Sequence, residues 1–210
     1  MTDWISETLY SNGTLKNKLH IHNAQKLSNI EYLRTTIKSI ILLDQKPKIT
    51  SIKDLGKIHK FMFSDLYDWA GKYRKGNFQK NGYTFFDYQR FNFAEEDIDN
   101  LLQRLHKKDA LTNYDYAELL DKINFMHPFR EGNGRSAKLF LDCLAGNHAQ
   151  VIAYPRENDE MIEAQNAADI EAIANLIIVQ NSPSREAAFK LLREKQKKQY
   201  QECRTRQGKD

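Results

Sequence analysis

One nine-residue stretch concentrates side chains suited to phosphate chemistry. It lies between two segments of helical periodicity and reads His127-Pro128-Phe129-Arg130-Glu131-Gly132-Asn133-Gly134-Arg135. Gly132 and Gly134 let the backbone turn sharply and approach a ligand closely. The N–H groups at the start of the following helix form an anion site, which the helix dipole strengthens. A polyphosphate is the ligand that this arrangement predicts.

The charged and polar side chains of the stretch suit the same ligand. Arg135 can pair with phosphate oxygens in a forked geometry, Asn133 adds a neutral donor, and Arg130 is a further candidate phosphate contact. Glu131 can bind Mg²⁺, which typically uses one or two carboxylates together with substrate phosphates. His127 has the ordinary pKa that suits proton abstraction near neutral pH.

Each of these residues also has an ordinary structural explanation. His127 could simply end a helix, Glu131 could be a solvated charge, and the two glycines could form a turn. Taken singly, those explanations are preferable. Eight specified positions in nine would arise from composition only on the order of once in ten million chains, so we interpret the stretch as functional.

Two amphipathic helices are predicted ahead of this stretch. Asn23 can cap the first, which must end before Pro47 because proline disfavours helical geometry in the preceding residue. The second opens near Ser51, with Asp54 to help cap it, and extends to Gly71. The apolar positions recur every three or four residues: Leu27, Ile30, Leu33, Ile37 and Ile41 in the first helix, and Ile52, Leu55, Ile58, Met62, Leu66 and Trp69 in the second.

Between Lys72 and Phe91 the pattern changes to aromatic residues interleaved with Lys, Asn and Gln. The pair Asn81-Gly82 favours a tight turn, so this segment predicts a short β-hairpin or flap.

Helical periodicity then returns. Thr112 or Asn113 can cap one helix, Gly146 can end another, and Pro183 suits the first position of a last helix capped by Ser182. The apolar stripes are Phe93, Ile98, Leu101 and Leu105; Tyr116, Leu119, Leu120, Ile123 and Met126; Leu139, Phe140, Cys143 and Leu144; and Ile170, Ile173, Leu176 and Ile177. The predicted fold is mainly α with one hairpin.

The stretch that begins at His127 resembles the signature of Fic-domain proteins, His-Pro-Phe-any-Asp/Glu-Gly-Asn-Gly-Arg-any-any-Arg. Every specified position matches except the last, where Lys138 keeps the positive charge but loses the fork of arginine. The likeness also includes Leu15-Lys16-Asn17-Lys18-Leu19, Ile58-His59 and Asp68-Trp69-Ala70-Gly71-Lys72-Tyr73-Arg74. It covers Leu15 to Ile178 and implies a Fic-type helical bundle.

The resemblance implies an enzyme that transfers AMP from ATP to a Tyr, Thr or Ser hydroxyl of a target protein. His127 would be the general base, Glu131 would bind Mg²⁺, and Phe129 would anchor the loop in the core. The residues that would contact the ATP phosphates are Arg130, Gly132, Asn133, Gly134, Arg135 and Lys138. The flap that would dock the target as an added strand comprises Asn77, Phe78, Gln79, Lys80, Asn81, Gly82, Tyr83, Thr84 and Phe85, although a hairpin packed only for stability stays open.

Other functions stay open beside this one. Gly134 favours AMP transfer, because a related branch that acts as a kinase carries lysine there, but transfer of another nucleotide or of a phosphate-containing group is compatible with the loop. Lys138 leaves room for a Fic-fold pseudoenzyme. A binding role could rest on residues 182–210, which carry nine Lys or Arg against four Asp or Glu. Such charge runs are usually solvated faces, so we expect no nucleic-acid partner.

Inhibitory helices of such proteins bear Ser/Thr-any-any-any-Glu followed by Gly or Asn. Ser182 and Glu186 have this spacing, but Ala187 follows, so we expect a separate inhibitory antitoxin or no inhibitor. The predicted division is an N-terminal helical segment at 1–50, a catalytic core at 51–181, and a basic C-terminal helix and tail at 182–210.

Composition limits location and redox chemistry. No stretch approaches the roughly 18 apolar residues that a membrane span requires, and the segment from Met1 to Asn12 lacks a signal-peptide pattern. We expect a cytoplasmic protein, with a secreted effector as the open alternative. Cys143 and Cys203 are too far apart in sequence to suggest a metal or redox pair.

Overall fold

A computed structural model describes residues 4–80, 82–155 and 159–207 of the chain. The fold is mainly helical. In chain order its elements are α1 (Ala24–Gln45), α2 (Lys53–Phe63), β1 (Gln79–Lys80), β2 (Tyr83–Thr84), α3 (Phe91–Leu105), α4 (Asn113–Met126), α5 (Asn133–Asn147), β3 (Gln150–Ala153), α6 (Asp159–Asn166), α7 (Ile170–Leu176), β4 (Ile178–Asn181) and α8 (Arg185–Gln207). None of the helices in the described part of the chain has the length and apolarity to cross a membrane.

Helix α5 lies at the centre of the bundle. It contacts α2, α4, α8 and β3, and its seven residues from Leu139 to Ala145 are all fully buried. Helix α1 packs on α2 and α8, while α4 packs on α3 and α7. The N-terminal end of α5 follows the chemistry-bearing loop, so the best-packed helix of the bundle fixes the position of that loop.

Several predicted helix ends are confirmed. Asn23 accepts a hydrogen bond from the Lys26 amide at 2.8 Å and begins α1. Thr112 begins α4 with a capping box, because its hydroxyl accepts from the Asp115 amide and the Asp115 carboxylate accepts from the Thr112 amide. The hairpin is also confirmed, with Gln79 paired with Thr84 and Lys80 paired with Tyr83.

The predicted apolar face of α1 is only partly the buried one. Leu27 is buried and Ile30 packs against the core, as predicted, but the second half of the stripe is not. Ile37 and Ile41 are 40% and 46% exposed, whereas the buried face carries Glu31, Thr35 and Ser39 at intervals of four residues. Thr35 and Ser39 satisfy their hydroxyls by donating to the carbonyl four residues earlier, so their burial needs no polar neighbour. Glu31 instead finds partners on other elements, which periodicity does not reveal.

The second helix also ends earlier than predicted, at Phe63 and not near Gly71. The amides of Leu66 and Tyr67 both donate to the Phe63 carbonyl, which turns the chain away from the helix axis. Gly71 then adopts a φ of +77°, and a Cβ there would lie 2.6 Å from the Lys60 Cβ. Glycine is therefore required where this turn folds back onto α2.

A second antiparallel sheet was not predicted. Strand β3 pairs with β4, and Ile152 lies opposite Val179. The apolar residues of α7 continue through Ile177 at helical intervals, so periodicity does not reveal the four-residue strand that follows. The amide of Ser182 extends the pairing by donating to the Ala149 carbonyl at 2.7 Å.

This pairing also corrects the predicted start of α8. Because Ser182 is tied to the end of the sheet, the helix begins at Arg185, and Ser184 caps it by accepting from the Ala187 amide. Pro183 therefore precedes the helix and is not its first residue. Similarly, α5 continues through Gly146 to Asn147.

Candidate active site

The predicted phosphate loop joins the end of α4 to the start of α5. His127 ends α4 in the left-handed conformation with a φ of 44°, and Gly132 begins α5 with a φ of +80°. A Cβ at Gly132 would lie 2.4 Å from the Phe63 ring, so only glycine fits. Gly134, the second residue of α5, is exposed with open space around it. The amides at the N-terminus of α5 therefore lie beside the loop.

Two internal contacts hold the loop closed. Asn133 is buried, and its side-chain amide both accepts from the Phe129 amide and donates to the Phe129 carbonyl at 2.9 Å each. The Asn133 side chain is thus engaged within the loop, in contrast to the predicted side-chain donor for phosphate. Phe129 is fully buried, as the core-anchor role requires.

Glu131 and Arg135 lie on the open side of the loop. The Glu131 side chain is 43% exposed, and one of its oxygens accepts from the Gly132 amide at 3.0 Å. Its carboxylate is 4.0 Å from the Arg135 guanidinium. Arg135 also stacks over the Phe63 ring at 5.0 Å and forms an ion pair with Glu31 of α1.

His127 lies beneath the flap. Phe85 stacks on its imidazole with ring centroids 3.7 Å apart, and Phe78 stacks at 5.7 Å. Burial lowers the pKa of His127 from 6.5 to about 3; the nearby Asn124 carbonyl opposes this shift, and the charges of Arg74 and Lys80 reinforce it. The imidazole is therefore neutral near pH 7, but a pKa this low makes it a weaker proton acceptor than an ordinary histidine.

The rim of the flap faces solvent, whereas its base is packed. Gln79, Lys80 and Thr84 are exposed, and Phe85 is buried. The Asn77 side chain accepts from the Tyr88 amide at 3.2 Å, which closes the base of the hairpin. Asn81, one of the nine predicted flap residues, lies outside the described residues.

A protein-family model described as the Fic/DOC family matches residues 49–145 of the chain. Residues 49–145 form a Fic/DOC domain. This match includes α2, the flap, α3, α4, the loop and most of α5. The helix α1 and the elements after α5 lie outside the matched range.

Curated relatives extend the match beyond the Fic/DOC domain. The chain is 27% identical over 140 residues to a probable protein adenylyltransferase Fic of Salmonella typhimurium, covering 63% of this chain and 68% of that protein. It is 32% identical over 163 residues to the protein adenylyltransferase VbhT of Bartonella schoenbuchensis, covering 72% of this chain but only 33% of that protein. On these relationships the chain is an enzyme of the nucleotidyltransferase class.

Solved structures share the fold. The N-terminal Fic domain of a cell filamentation protein from Bartonella quintana, solved with bound ADP, has a TM-score of 0.76 at 23% identity and covers 86% of this chain and 98% of its own. The BepC protein of Bartonella tribocorum, solved with bound AMPPNP, has a TM-score of 0.73 at 20% identity, with coverages of 84% and 98%.

The Fic/DOC signature residues are not all brought together. Arg130 donates to the Thr8 hydroxyl at 2.7 Å and lies over the Trp4 ring, so it turns toward the N-terminal segment. Lys138 is partly buried and lies over the Tyr154 ring at 5.2 Å. Burial lowers the pKa of Lys138, while the Asp142 carboxylate opposes that shift. Lys138 and Arg135 both line a cavity of about 110 Å³ between α1, α5 and α8.

His59 is a site residue that pattern analysis missed. It is fully buried in α2 and stacks on Phe129 at 3.8 Å. Its Nδ1 accepts from the Gly71 amide at 2.8 Å, so its Nε2 is the protonated nitrogen and donates to the Glu131 carbonyl at 3.0 Å. Burial lowers the pKa of His59 to about 4, which keeps this arrangement neutral. The sequence signal that could have found it is its position beside Ile58 on the apolar side of α2, which predicts a buried histidine.

Arg74 is the second missed residue. It is 4% exposed, and its guanidinium donates to the carbonyls of His127, Gly76 and Phe86, while its amide donates to the Pro128 carbonyl at 2.7 Å. Burial lowers its pKa to about 10. Arg74 therefore joins the base of the flap to the loop, and nothing in the local pattern marks it for burial.

Proposed function

We propose that this chain transfers AMP from ATP to a Tyr, Thr or Ser hydroxyl of a target protein. In this reaction His127 takes the hydroxyl proton, the hydroxyl oxygen attacks the α-phosphorus, and pyrophosphate leaves with its charge held by cations and backbone amides. The observation that carries the proposal is a neutral imidazole under the flap, five residues before a helix N-terminus that can bind phosphate. The similarity to relatives that are named protein adenylyltransferases supports this proposal.

The proposed phosphate contacts come mainly from the start of α5. The amides of Asn133 and Gly134 would face the phosphates, and the Arg135 guanidinium would pair with their oxygens. The Gly132 amide would join them on release from the Glu131 carboxylate, to which it donates in this structure. We propose a weaker, more distant contact for Lys138, because its ammonium lies near Tyr154 and Asp142. The contacts of Arg130 with Thr8 and Trp4 favour a structural role there.

Glu131 is the proposed Mg²⁺ ligand. Its carboxylate is partly exposed at the loop and keeps one oxygen beyond the one that binds the Gly132 amide. A single carboxylate suits an ion that arrives with the nucleotide phosphates. Mg²⁺ would neutralise charge on those phosphates when bound.

The flap is the proposed docking site for the target. The exposed residues Gln79, Lys80 and Thr84 leave a strand edge on which an extended segment can pair, which would bring its hydroxyl toward His127. Phe85 stacks on the His127 imidazole and would exclude water from it.

A cytoplasmic location and a separate inhibitory protein are further proposals. Self-inhibition through Ser182 and Glu186 has little support, because Glu186 is exposed in the first turn of α8. Lys195 marks the part of α8 that lies beside Asp142 near Lys138, and Glu186 precedes it by nine residues, about 13 Å along the helix. Glu186 is therefore far along α8 from the turn that faces Lys138.

The test is transfer of label from each of the four α-labelled nucleoside triphosphates, with Mg²⁺, to proteins of a cell lysate. We expect labelling from ATP, and we expect His127→Ala to abolish it while ATP affinity stays within a few fold. His106→Ala, at an exposed histidine on the far end of α3, is the matched control. Labelling from another nucleotide, or equal loss of affinity and rate in His127→Ala, would contradict the proposal.

A further inference from the structure

A buried carboxylate lies behind the phosphate loop. Glu31 of α1 is 6% exposed, and its two oxygens have different partners: one accepts from the Arg135 Nη2, and the other accepts from the Tyr67 hydroxyl. Tyr67 is 1% exposed and stacks on Trp69. The three side chains thus form a continuous network that ends at the arginine of the loop.

The geometry of Arg135 leaves part of its guanidinium available. Nη2 is directed at Glu31, the planar face lies over the Phe63 ring, and the side chain is 33% exposed. Among the described residues, Nε and Nη1 make no hydrogen bond. A guanidinium carries five N–H donors in a rigid fork, so one edge can be held by a carboxylate while another contacts phosphate.

Stability alone does not explain this network. A buried ion pair contributes little net stability, since desolvation offsets the Coulombic attraction, and apolar residues of the same volume often do as well. What the pair does provide is orientation. Glu31 and Tyr67, together with Phe63, restrict a long side chain that would otherwise sample many rotamers before it bound a ligand.

We propose that Glu31 and Tyr67 are positioning residues that orient Arg135 for the phosphates of the nucleotide. The inference deepens the proposed function and depends on it. Glu31 holds the guanidinium directly, and Tyr67 holds Glu31. Neither residue touches the reacting atoms in this assignment.

The experiment measures the dissociation constant for Mg-ATP by calorimetry, and the melting temperature, on the full chain. We expect Glu31→Gln to weaken ATP binding about tenfold and Tyr67→Phe to weaken it less, about threefold. In an Arg135→Ala background, Glu31→Gln should have no further effect on ATP affinity, because its influence passes through the guanidinium. Asp65→Asn is the matched control: Asp65 also ties α1 to the chain after α2, through Arg34 and Lys38, but its described contacts do not include Arg135.

Three results would overturn the inference. An unchanged ATP affinity with a lowered melting temperature would make the network purely structural. Tighter ATP binding in Glu31→Gln would mean that Glu31 keeps Arg135 away from the phosphates. A weakening that persists without Arg135 would place the effect elsewhere. If Glu31→Gln does not fold, Tyr67→Phe decides by the same criteria. Failure of the wild-type chain to bind ATP would overturn the proposed function itself, and the inference with it.

Discussion

At the scale of single residues, burial determines the chemistry of His127. The stacked rings of Phe85 and Phe78 exclude water, and this desolvation is the main reason that the pKa of His127 falls to about 3. The sign follows from linkage: the unfolded chain binds a proton near pH 6.5, and the folded chain does so only near pH 3. His127 therefore contributes stability that is complete above pH 6.5 and declines as the pH falls toward 3.

Phe85→Ala should return the pKa of His127 toward 6.5, because water would reach the imidazole. The measurement is an NMR titration of the histidine side chains, with the His127 signal assigned by its loss in His127→Asn. Phe93→Ala removes a 54% exposed ring away from the flap and serves as control. A His127 pKa that stays near 3 in Phe85→Ala would mean that the ring is not the source of the desolvation.

At the scale of elements, one buried side chain joins the base of the flap to the loop by hydrogen bonds. Arg74 contacts carbonyls on both sides of the hairpin, at Gly76 and Phe86, and a third at His127. Its Nη2 also lies 3.4 Å from the Met126 carbonyl, and its guanidinium lies over the Phe91 ring at 4.8 Å. The charge of Asp87 favours the protonated form, so carbonyls, a ring and a nearby carboxylate together stabilise this buried cation. The position of the flap is thus coupled to the position of His127, the proposed general base.

Arg74→Lys should lower the free energy of unfolding by about 2 to 4 kcal/mol, because an ammonium cannot reach three diverging carbonyls and leaves some unsatisfied. The measurement is denaturant unfolding, combined with hydrogen exchange at the Phe86 amide, which bonds to the Phe125 carbonyl. Faster exchange there is expected. Arg90→Lys, at an exposed arginine just after the flap, is the control. Equal stability of the two variants would refute the coupling.

At the scale of the whole molecule, α8 is an integral part of the bundle. Its residues Phe189 and Leu192 are fully buried, and its basic side chains have structural partners: Arg193 pairs with Asp44 of α1, and Lys195 pairs with Asp142 of α5 at 2.8 Å. The positive charge of this segment therefore serves packing between helices at these positions, which weakens the case for a separate binding tail.

Lys195→Met should destabilise the fold by about 3 to 5 kcal/mol at pH 8, because it removes the cation that pairs directly with the buried Asp142 carboxylate and leaves only the weaker influence of the Lys138 charge. Burial already raises the pKa of Asp142 and Lys195 opposes the rise, so the variant should raise it further. A raised carboxylate pKa costs stability as the pH increases, and the loss should therefore be smaller at pH 5.

Denaturant unfolding at the two pH values tests this prediction. Adding Asp142→Asn to Lys195→Met should recover much of the stability, since the amide needs no cation. Lys197→Met is the matched control, because it loses only a surface ion pair with Glu194 in which the Lys197 side chain is 44% exposed. A pH-independent loss would show that the cost comes from packing and not from the buried charge.

Local sequence determined much of this protein. The caps at Asn23 and Thr112 and the hairpin turn at Gly82 follow from interactions within about four residues, and such signals are legible without a structure. The residue types of the loop from His127 to Arg135 are equally legible, although contacts from distant elements hold its conformation. The family likeness rests on the same contiguous residues.

Only the tertiary structure decided which polar groups are buried and what they hold. Glu31 and Arg135 are 104 positions apart, Arg74 and His127 are 53 apart, and His59 and Glu131 are 72 apart. Burial of each polar group is tolerated only because a partner from another element satisfies it, and no local pattern encodes a partner at that distance. For the same reason periodicity misplaced the second half of the apolar stripe of α1, at Ile37 and Ile41, since it counts apolar residues and cannot anticipate a carboxylate that meets an arginine of α5.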